Sequence, residues 1–315
     1  MSIEVYTHPK PFSLESGESL PGFQLAYQTW GKRKEDDSNI IWVCHALTGN
    51  TDVVDWWPGM IGENAVFDPE NDFIICANML GSCYGSTDAL STNPETRMPY
   101  FHDFPLLTNR DIVLAFDALR EALQIKKIKV LIGGSTGGQH VLEWAIMQPD
   151  LFEYIIPIAA NAQHSAWGIA FNETQRMAIA ADSSWETASP NAGLEGMKAA
   201  RAAALLSYRS YEAYELSQTE TNDETFDDFR ASSYQRYQGQ KLADRFHAFA
   251  YWTLSKAMDS QNVGRGRGGV ANALGQIKAK ALVIAINSDI LFPPFEQRLI
   301  AEHIPDTFPL LILRI

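Results

Sequence analysis

The stretch Gly133-Gly134-Ser135-Thr136-Gly137-Gly138 has the form G-x-S-x-G and directly follows the apolar run Val130-Leu131-Ile132. The apolar run predicts a buried strand, and the apolar spacing over residues 139–147 predicts a helix that ends before Pro149. A serine on such a tight strand-to-helix turn has its hydroxyl exposed above the sheet, with backbone N–H groups nearby. The stretch therefore predicts a nucleophile turn, with Ser135 as the catalytic nucleophile.

Two other interpretations of this glycine-rich turn fit the sequence less well. A phosphate-binding P-loop needs a Lys-Ser/Thr pair after its last glycine, but Gln139 and His140 stand there. A dinucleotide-binding turn needs a glycine where this chain has Ser135. A purely structural turn stays open as the alternative to a nucleophile turn.

The composition is that of an acidic, soluble globular protein. Of the 315 residues, 46% are hydrophobic and 20% are charged, and the net charge is −13. This balance argues against nucleic acid and anionic membranes as partners, and no apolar run reaches the ~18 residues of a membrane helix. The three cysteines lack the spacing of a disulfide framework, and the N-terminus does not have the pattern of a signal peptide. We therefore expect a cytoplasmic protein that acts on small molecules.

The order of apolar runs predicts an α/β fold with a mostly parallel sheet. Antiparallel strands are expected before Lys32. A helix over residues 111–123, capped by Thr108 or Asn109, is expected ahead of the nucleophile strand. The apolar runs expected to form parallel strands are residues 40–44, 73–77, 130–132, 154–159 and 281–286.

Residues 161–275 have helical rather than strand-like spacing, with residues 199–207 and 242–258 as the clearest helices. Because this segment is too long for a single crossover, we expect a helical lid over the carboxyl ends of the strands. The core is then formed by residues 1–160 and 276–315. The glycine-rich run 264–269 is interpreted as a hinge that returns the lid to the core.

A serine nucleophile needs a base, usually histidine, that is oriented by a carboxylate. In the α/β-hydrolase fold, which this turn and sheet indicate, the order along the chain is Ser, then Asp or Glu, then His. Asp289 follows the strand predicted at 281–286 and is the candidate carboxylate, with an Asx turn as the structural alternative. The oxyanion hole needs two N–H donors, for which the candidates are Thr136 and, after the strand at 40–44, Leu47 or Thr48.

The chain resembles the homoserine O-acetyltransferases, a family with the α/β-hydrolase fold. The resemblance covers residues 20–305 and is strongest in two segments, Cys83-Tyr84-Gly85-Ser86-Thr87 and Ser288-Asp289-Ile290-Leu291-Phe292-Pro293-Pro294. These two are far more specific than G-x-S-x-G alone. The other matching segments are the nucleophile turn and residues 44–49, 56–62 and 78–82.

The resemblance implies that acetyl-CoA acetylates Ser135 and that homoserine then takes the acetyl group, a reaction of methionine biosynthesis. Acetyl-CoA is then a co-substrate, no cofactor or metal is expected, and the protein is expected to be a homodimer. The resemblance also points to Arg201 and Tyr208, seven residues apart on one face of a lid helix, as substrate-binding residues. Since acyl-CoA is anionic, we expect the lid cations Lys198, Arg201 and Arg209 near the entrance.

The catalytic histidine is the weak point of this interpretation. In the family it lies in a Gly-His-Asp segment after the aspartate, and no such segment follows Asp289 before Ile315. His303 is the histidine left on chain order, and residues 308–315 are not expected to match the family's last strand. We therefore expect acyl transfer to be impaired. A homoserine O-succinyltransferase, a serine esterase of the same fold and a non-catalytic binding protein stay open as alternatives.

Overall fold

The structure, a computed structural model, describes residues 2–314. Its strands are β1 (Glu4–His8), β2 (Phe12–Ser13), β3 (Ser19–Leu20), β4 (Phe23–Trp30), β5 (Ile40–Cys44), β6 (Phe73–Ala77), β7 (Ile128–Gly134), β8 (Phe152–Ile158), β9 (Lys280–Ala281), β10 (Ile284–Ile286) and β11 (Leu311–Leu313). Its helices are α1 (Val53–Trp56), α2 (Asn109–Ala122), α3 (Thr136–Met147), α4 (Ala166–Ala180), α5 (Leu194–Tyr208), α6 (Tyr211–Gln218), α7 (Arg230–Ala243), α8 (Ala248–Asp259), α9 (Val270–Leu274) and α10 (Pro294–His303). Within this part of the chain, no helix has both the length and the apolar character needed to cross a membrane.

One large sheet carries the fold. Its strands follow the order β1-β4-β6-β5-β7-β8-β10-β11, and β9 also pairs with β8. β4 pairs antiparallel with β1 and β6, whereas the pairs from β6 onward are parallel. β5 is buried at every position, as expected for a strand covered on both faces. The predicted α/β fold with a mostly parallel sheet is confirmed.

Helices α2 and α3 pack against this sheet and position the nucleophile turn. The indole rings of Trp42 on β5 and Trp144 on α3 lie edge to face, with centroids 4.9 Å apart. Helix α2 begins with a capping box, in which Thr108 Oγ1 accepts the Asp111 N–H and the Asp111 carboxylate accepts the Thr108 N–H. Thr108, rather than Asn109, is therefore the cap.

The segment 161–275 contains helices α4 to α9. Helix α5 includes the predicted helix 199–207, but the single helix predicted over 242–258 is wrong. The chain instead breaks between α7 and α8, where His247 Nδ1 accepts the N–H of Ala250 at 3.0 Å and caps α8. The apolar pattern runs across the break because the side chains on both sides of it belong to the same buried cluster.

The glycine-rich turn 264–269 leads from the lid back to the core, and three of its four glycines have positive φ. Arg267 of this turn pairs with Glu143 of α3 at 2.6 Å, and Arg265 pairs with Glu15 at 3.1 Å. Ion pairs to the core therefore fix the returning end of the lid.

The end of the chain adds a further strand to the sheet. Residues Leu311–Leu313 form β11, which pairs in parallel with β10, so the segment supplies a strand although its sequence is not expected to match the family's last strand. Backbone hydrogen bonds from Leu311 to Val283 and from Asn287 to Leu313 hold β11 in place. The side chains of β11 stay exposed because the strand lies at the sheet edge.

Candidate active site

Ser135 lies on a strained turn between β7 and α3. Its backbone has φ 56° and ψ −126°, which a residue with a side chain rarely adopts. The Ser135 N–H donates to the Ile158 carbonyl at 2.9 Å, and the Ser135 carbonyl accepts the Gln139 N–H at 3.1 Å. These two bonds hold the strained conformation, as expected for a nucleophile turn.

The glycines around Ser135 are required by close backbone contacts. A Cβ atom on Gly137 would lie 2.1 Å from the carbonyl oxygen of Cys44, on the neighbouring strand β5. A Cβ atom on Gly133 would lie 2.5 Å from the backbone of Gly137. By contrast, a Cβ atom on Gly134 would meet no atom closer than 3.9 Å. Two glycines of the turn therefore let β5, β7 and α3 approach one another.

Ser135 lines a cavity of about 360 Å³ at the carboxyl ends of the parallel strands. The loop after β10 brings Asp289 to the same cavity, and the end of α5 forms the opposite wall. The stacked rings of Trp56 and Trp57, with centroids 5.3 Å apart, form a further part of the lining. The structure thus brings the predicted nucleophile and the predicted carboxylate together beneath the lid.

Asp289 is held by its own loop. Its Oδ1 accepts the backbone N–H groups of Leu291 and Phe292, each at 2.8 Å. Burial raises the pKa of Asp289, and these two N–H groups act in the opposite direction. The Asx-type turn expected as the structural alternative is present, and the same residue lines the cavity.

A second, partly buried carboxyl lies near enough to Asp289 for the two charges to interact, and the sequence analysis missed it. Glu296, in the first turn of α10, has its pKa raised to about 7 by burial, and the charge of Asp289 adds to the rise. The Asn161 side chain acts in the opposite direction on Glu296. A glutamate in the first turn of a helix is common on protein surfaces, so the sequence gives no sign that this one is partly buried.

The predicted oxyanion donors flank the cavity. Thr136 is the first residue of α3, where the N–H has no partner within the helix and the helix dipole favours negative charge. On the other side, Ala46 lines the cavity and is followed by Leu47 and Thr48 in a turn closed by the Gly49 N–H on the Ala46 carbonyl, at 2.8 Å. We call residues 45–49 the oxyanion loop.

His45 supports the oxyanion loop and does not act as the base. Its Nδ1 donates to the Ala46 carbonyl at 2.9 Å, and its Nε2 accepts the Met79 N–H at 3.3 Å. Burial lowers the pKa of His45 to about 4, which keeps the ring neutral. Both ring nitrogens are therefore occupied in holding backbone groups.

The lid wall places the predicted substrate-binding residues at different depths. Tyr208 lines the cavity, and burial raises the pKa of its hydroxyl although the residue as a whole is 43% exposed. Arg201 does not line the cavity. Its guanidinium carbon lies over the Tyr208 ring, 5.5 Å from the ring centroid. Arg209 lines the cavity directly. Lys198 does not line it and instead forms an ion pair with Glu195, with the two charged groups 2.6 Å apart. Of these three lid cations, Arg209 is thus the one that lines the cavity, and its guanidinium carbon lies 5.4 Å from the centroid of the Tyr234 ring.

No histidine lines the cavity within residues 2–314. His303 is exposed at the end of α10, where its Nδ1 bonds the Leu299 carbonyl at 2.8 Å. His140 and His164 are buried, and burial lowers their pKa values to about 3 and about 4. The same described residues contain no cluster of three or more histidine, cysteine or acidic side chains that could hold a metal ion.

The sheet, the strained serine and the shared serine–aspartate cavity define an α/β-hydrolase, and a family model described as an alpha/beta hydrolase fold matches residues 39–313. A homoserine O-acetyltransferase from Cyclobacterium marinum is 52% identical over 305 residues, covering 97% of this chain and 87% of that protein. The chain therefore belongs to the homoserine O-acetyltransferase family.

Two solved structures are similar to this chain over almost its whole length. The homoserine O-acetyltransferase from Staphylococcus aureus is 29% identical with a TM-score of 0.81, covering 99% of this chain and 88% of that one. An acetylester hydrolase from Corynebacterium glutamicum is 25% identical with a TM-score of 0.88, covering 100% and 88%. Acyl transfer and ester hydrolysis thus occur on closely similar frameworks.

Proposed function

We propose that this protein transfers an acetyl group from acetyl-CoA to the hydroxyl of L-homoserine through an acetyl-Ser135 intermediate. The observation that carries the proposal is that Ser135 and Asp289 line one cavity at the carboxyl ends of the strands. Membership of the homoserine O-acetyltransferase family supports the choice of acetyl donor and acceptor. The product belongs to methionine biosynthesis.

In the first half-reaction, Ser135 Oγ attacks the thioester carbonyl of acetyl-CoA. The hydroxyl proton passes to a base, and the carbonyl oxygen becomes an oxyanion that the Thr136 N–H and an N–H of the oxyanion loop stabilise. The C–S bond then breaks, and the thiolate leaves as the CoA thiol by taking up the proton. Ser135 is now an acetyl ester.

In the second half-reaction, the homoserine hydroxyl attacks the acetyl ester and gives its proton to the base. The C–O bond to Ser135 breaks, Ser135 recovers its proton, and O-acetylhomoserine is released. The cavity supplies Arg209 and Tyr208 on the lid side, where the negative groups of the substrates need a cationic wall. Arg201 supports this wall through its contact with the Tyr208 ring.

The rate of both steps depends on the base. A serine hydroxyl is a weak nucleophile at neutral pH, and Asp289 can orient a base but is itself held by two backbone N–H groups. Since no histidine lines the cavity in residues 2–314, we expect the 315-residue chain to acetylate homoserine slowly. Loss of a triad member typically costs several orders of magnitude in kcat.

The test is to incubate the 315-residue chain with acetyl-CoA and homoserine and to follow CoA thiol release and O-acetylhomoserine by mass spectrometry. A peptide containing residues 130–140 is analysed in parallel for an acetyl group on Ser135. We expect slow transfer that Ser135→Ala abolishes. Transfer at an equal rate in Ser135→Ala would contradict the acetyl-serine intermediate, and faster transfer with succinyl-CoA would assign a succinyl donor.

Ester hydrolysis is a second candidate, favoured by the similarity to an acetylester hydrolase. The two activities differ in which acceptor reaches acetyl-Ser135. If homoserine suppresses release of acetate while CoA release continues, the protein is a transferase. If acetate forms at the same rate with and without homoserine, it is a hydrolase. Substrate binding with no turnover at all would favour a binding protein.

Three further properties belong to this proposal. The reaction uses acetyl-CoA as co-substrate and no cofactor, and we place the protein in the cytoplasm. We also propose a homodimer formed through the lid, because Leu216 and Phe226 are each 92% exposed there. Sedimentation of the wild-type chain and of Leu216→Asp tests the dimer, which the substitution should weaken.

A further inference from the structure

Arg245 lies in the break between α7 and α8 and reaches out of the lid to two separate loops of the core. Its Nη1 donates to the Thr48 carbonyl at 2.8 Å and also to the hydroxyl of Tyr84. The guanidinium lies over the Tyr84 ring, 6.0 Å from its centroid. The acceptor of the first bond, Thr48, is in the oxyanion loop.

The oxyanion loop is therefore held from both sides. His45 bonds the Ala46 carbonyl from the strand side, and Arg245 bonds the Thr48 carbonyl from the lid side. Each peptide unit is planar, so the Ala46 carbonyl shares its plane with the Leu47 N–H, and the Thr48 carbonyl shares its plane with the Gly49 N–H. The peptide that carries the Thr48 N–H lies between these two fixed planes, which limits its rotation. A donor must point at the oxyanion with its distance and angle set in advance to stabilise it.

Other contacts hold Arg245 itself in place. The Cys83 thiol donates to the Arg245 carbonyl at 3.8 Å, and His247 Nε2 lies 2.8 Å from the Asp88 carboxylate. Residues 245–247 are thus docked on the loop that contains Tyr84.

We propose that Arg245 is a positioning residue that fixes the oxyanion loop through the Thr48 carbonyl and so couples the lid to the oxyanion hole. The assignment to catalysis rests on the proposed acyl transfer, but the mechanical link between lid and loop does not. Arg245 touches neither Ser135 nor the cavity lining, and it acts through the backbone of Thr48. Its bond is charge-assisted and therefore stronger than a neutral one.

The primary test is hydrogen exchange, measured by mass spectrometry on the wild-type chain and on Arg245→Met. Methionine keeps much of the volume but donates no hydrogen bond. We expect amide exchange in residues 46–50 to rise about 10-fold, since a charged hydrogen bond is lost, with exchange in α3 unchanged. Arg245→Lys should restore part of the protection.

His247→Gln is the matched control, because it removes the imidazole that contacts Asp88 and caps α8 but leaves Arg245 in place to bond Thr48. If Arg245→Met does not change exchange in the loop, or if His247→Gln changes it as much, the inference is overturned. In the second case, general docking of the lid, not the Thr48 bond, orders the loop.

Steady-state kinetics distinguishes the proposed acyl transfer from the proposed positioning role of Arg245. For whichever acyl transfer the chain catalyses, Arg245→Met should lower kcat about 10-fold with little change in the KM for the acyl donor. A raised KM with unchanged kcat would contradict a role at the oxyanion hole. If the chain shows no acyl transfer but the loop loses protection, the proposed function fails while the link between lid and loop stands.

Discussion

The two walls of the cavity that Ser135 lines are built in different ways. The core wall carries Ser135 on a turn whose shape is set by backbone contacts among residues 133–138 and the adjoining strand end at Cys44. The lid wall carries Tyr208 and Arg209, which reach the cavity because helix α5 ends there. The core wall is a local construction, whereas the lid wall depends on how a long inserted segment docks.

This difference determines what a substitution does. On the core wall, a methyl group added at Gly133 or Gly137 would overlap backbone atoms, which cannot move without shifting a strand or helix. On the lid wall, side chains face solvent or one another and can adjust. We therefore expect substitutions in the core wall to change folding and those in the lid wall to change binding.

The largest effect is expected at Gly137. In Gly137→Ala the new Cβ atom would overlap the Cys44 carbonyl, so β5 and α3 must separate. We expect the free energy of unfolding to fall by more than about 4 kcal/mol, or the protein not to fold. Gly134→Ala is the matched control, with an expected loss within about 1 kcal/mol because the nearest atoms lie 3.9 Å away. Urea denaturation followed by tryptophan fluorescence measures both. Equal losses would show that the turn is not shaped by close packing.

The next effect concerns pH and the carboxyl of Glu296. Because the pKa of Glu296 is raised from 4.5 to about 7, the folded state holds this proton more tightly than the unfolded state. The resulting stabilisation is fully present below pH 4.5 and is lost as the pH rises through about 7. Allowing for partial exposure, we expect a loss of about 2 kcal/mol.

Glu296→Gln tests this dependence, since glutamine keeps the shape but cannot ionise. The variant should lose less unfolding free energy than the wild-type chain between pH 4.5 and pH 8. The neighbouring groups, Asp289 and Asn161, are the same in both chains. Parallel pH profiles for the two chains would mean that Glu296 titrates normally.

On the lid wall, Arg209 and Arg201 should differ in their effect on ligand binding. Arg209 lines the cavity, so Arg209→Met should weaken binding of acetyl-CoA about 10-fold, the value of one charge-assisted contact. Arg201 lies behind Tyr208, and Arg201→Met should weaken it less than about 3-fold. Calorimetry in a Ser135→Ala background avoids turnover. The reverse order would show that the lid closes with Arg201 toward the donor.

The smallest effect is expected at Lys198, the third lid cation. It pairs with Glu195 three residues earlier on α5 and does not line the cavity. We expect Lys198→Gln to change unfolding free energy by less than about 0.5 kcal/mol, since surface pairs contribute little. Binding of acetyl-CoA should be unchanged within about twofold. A larger weakening of binding would extend the cationic wall to the outer part of α5.

The same contrast explains how much could be predicted from sequence. The parallel sheet and the nucleophile turn follow from local patterns, because a strained serine between glycines has few structural uses. The placement of Asp289 follows from chain order. The break at 244–247 could not be predicted, because the apolar spacing continues across it. The His247 cap on Ala250 is local, but Arg245 and His247 also bond Thr48 and Asp88, which are far away in sequence.

The remaining differences also come from tertiary contacts. Glu296 is partly buried only because the fold brings α10 close to the loop of Asp289, and nothing in its local sequence distinguishes it from a surface glutamate. The strand at Leu311–Leu313 forms because β10 offers an unpaired edge to a short apolar run. The family resemblance points to Arg201 as substrate-binding and to Arg209 only as a cation near the entrance, whereas in the structure Arg209, just after α5, lines the cavity.

The buried carboxylate of Glu143 has a consequence for access to the cavity. Arg110 and Arg267 both pair with it, at 2.7 and 2.6 Å, so the returning end of the lid is joined to the helix that begins at Ser135. Swinging the whole lid away would break the Arg267 pair and leave the buried Glu143 carboxylate with Arg110 as its remaining ion-pair partner of the two. We therefore expect the base of the lid to stay fixed to helix α3 while substrates enter.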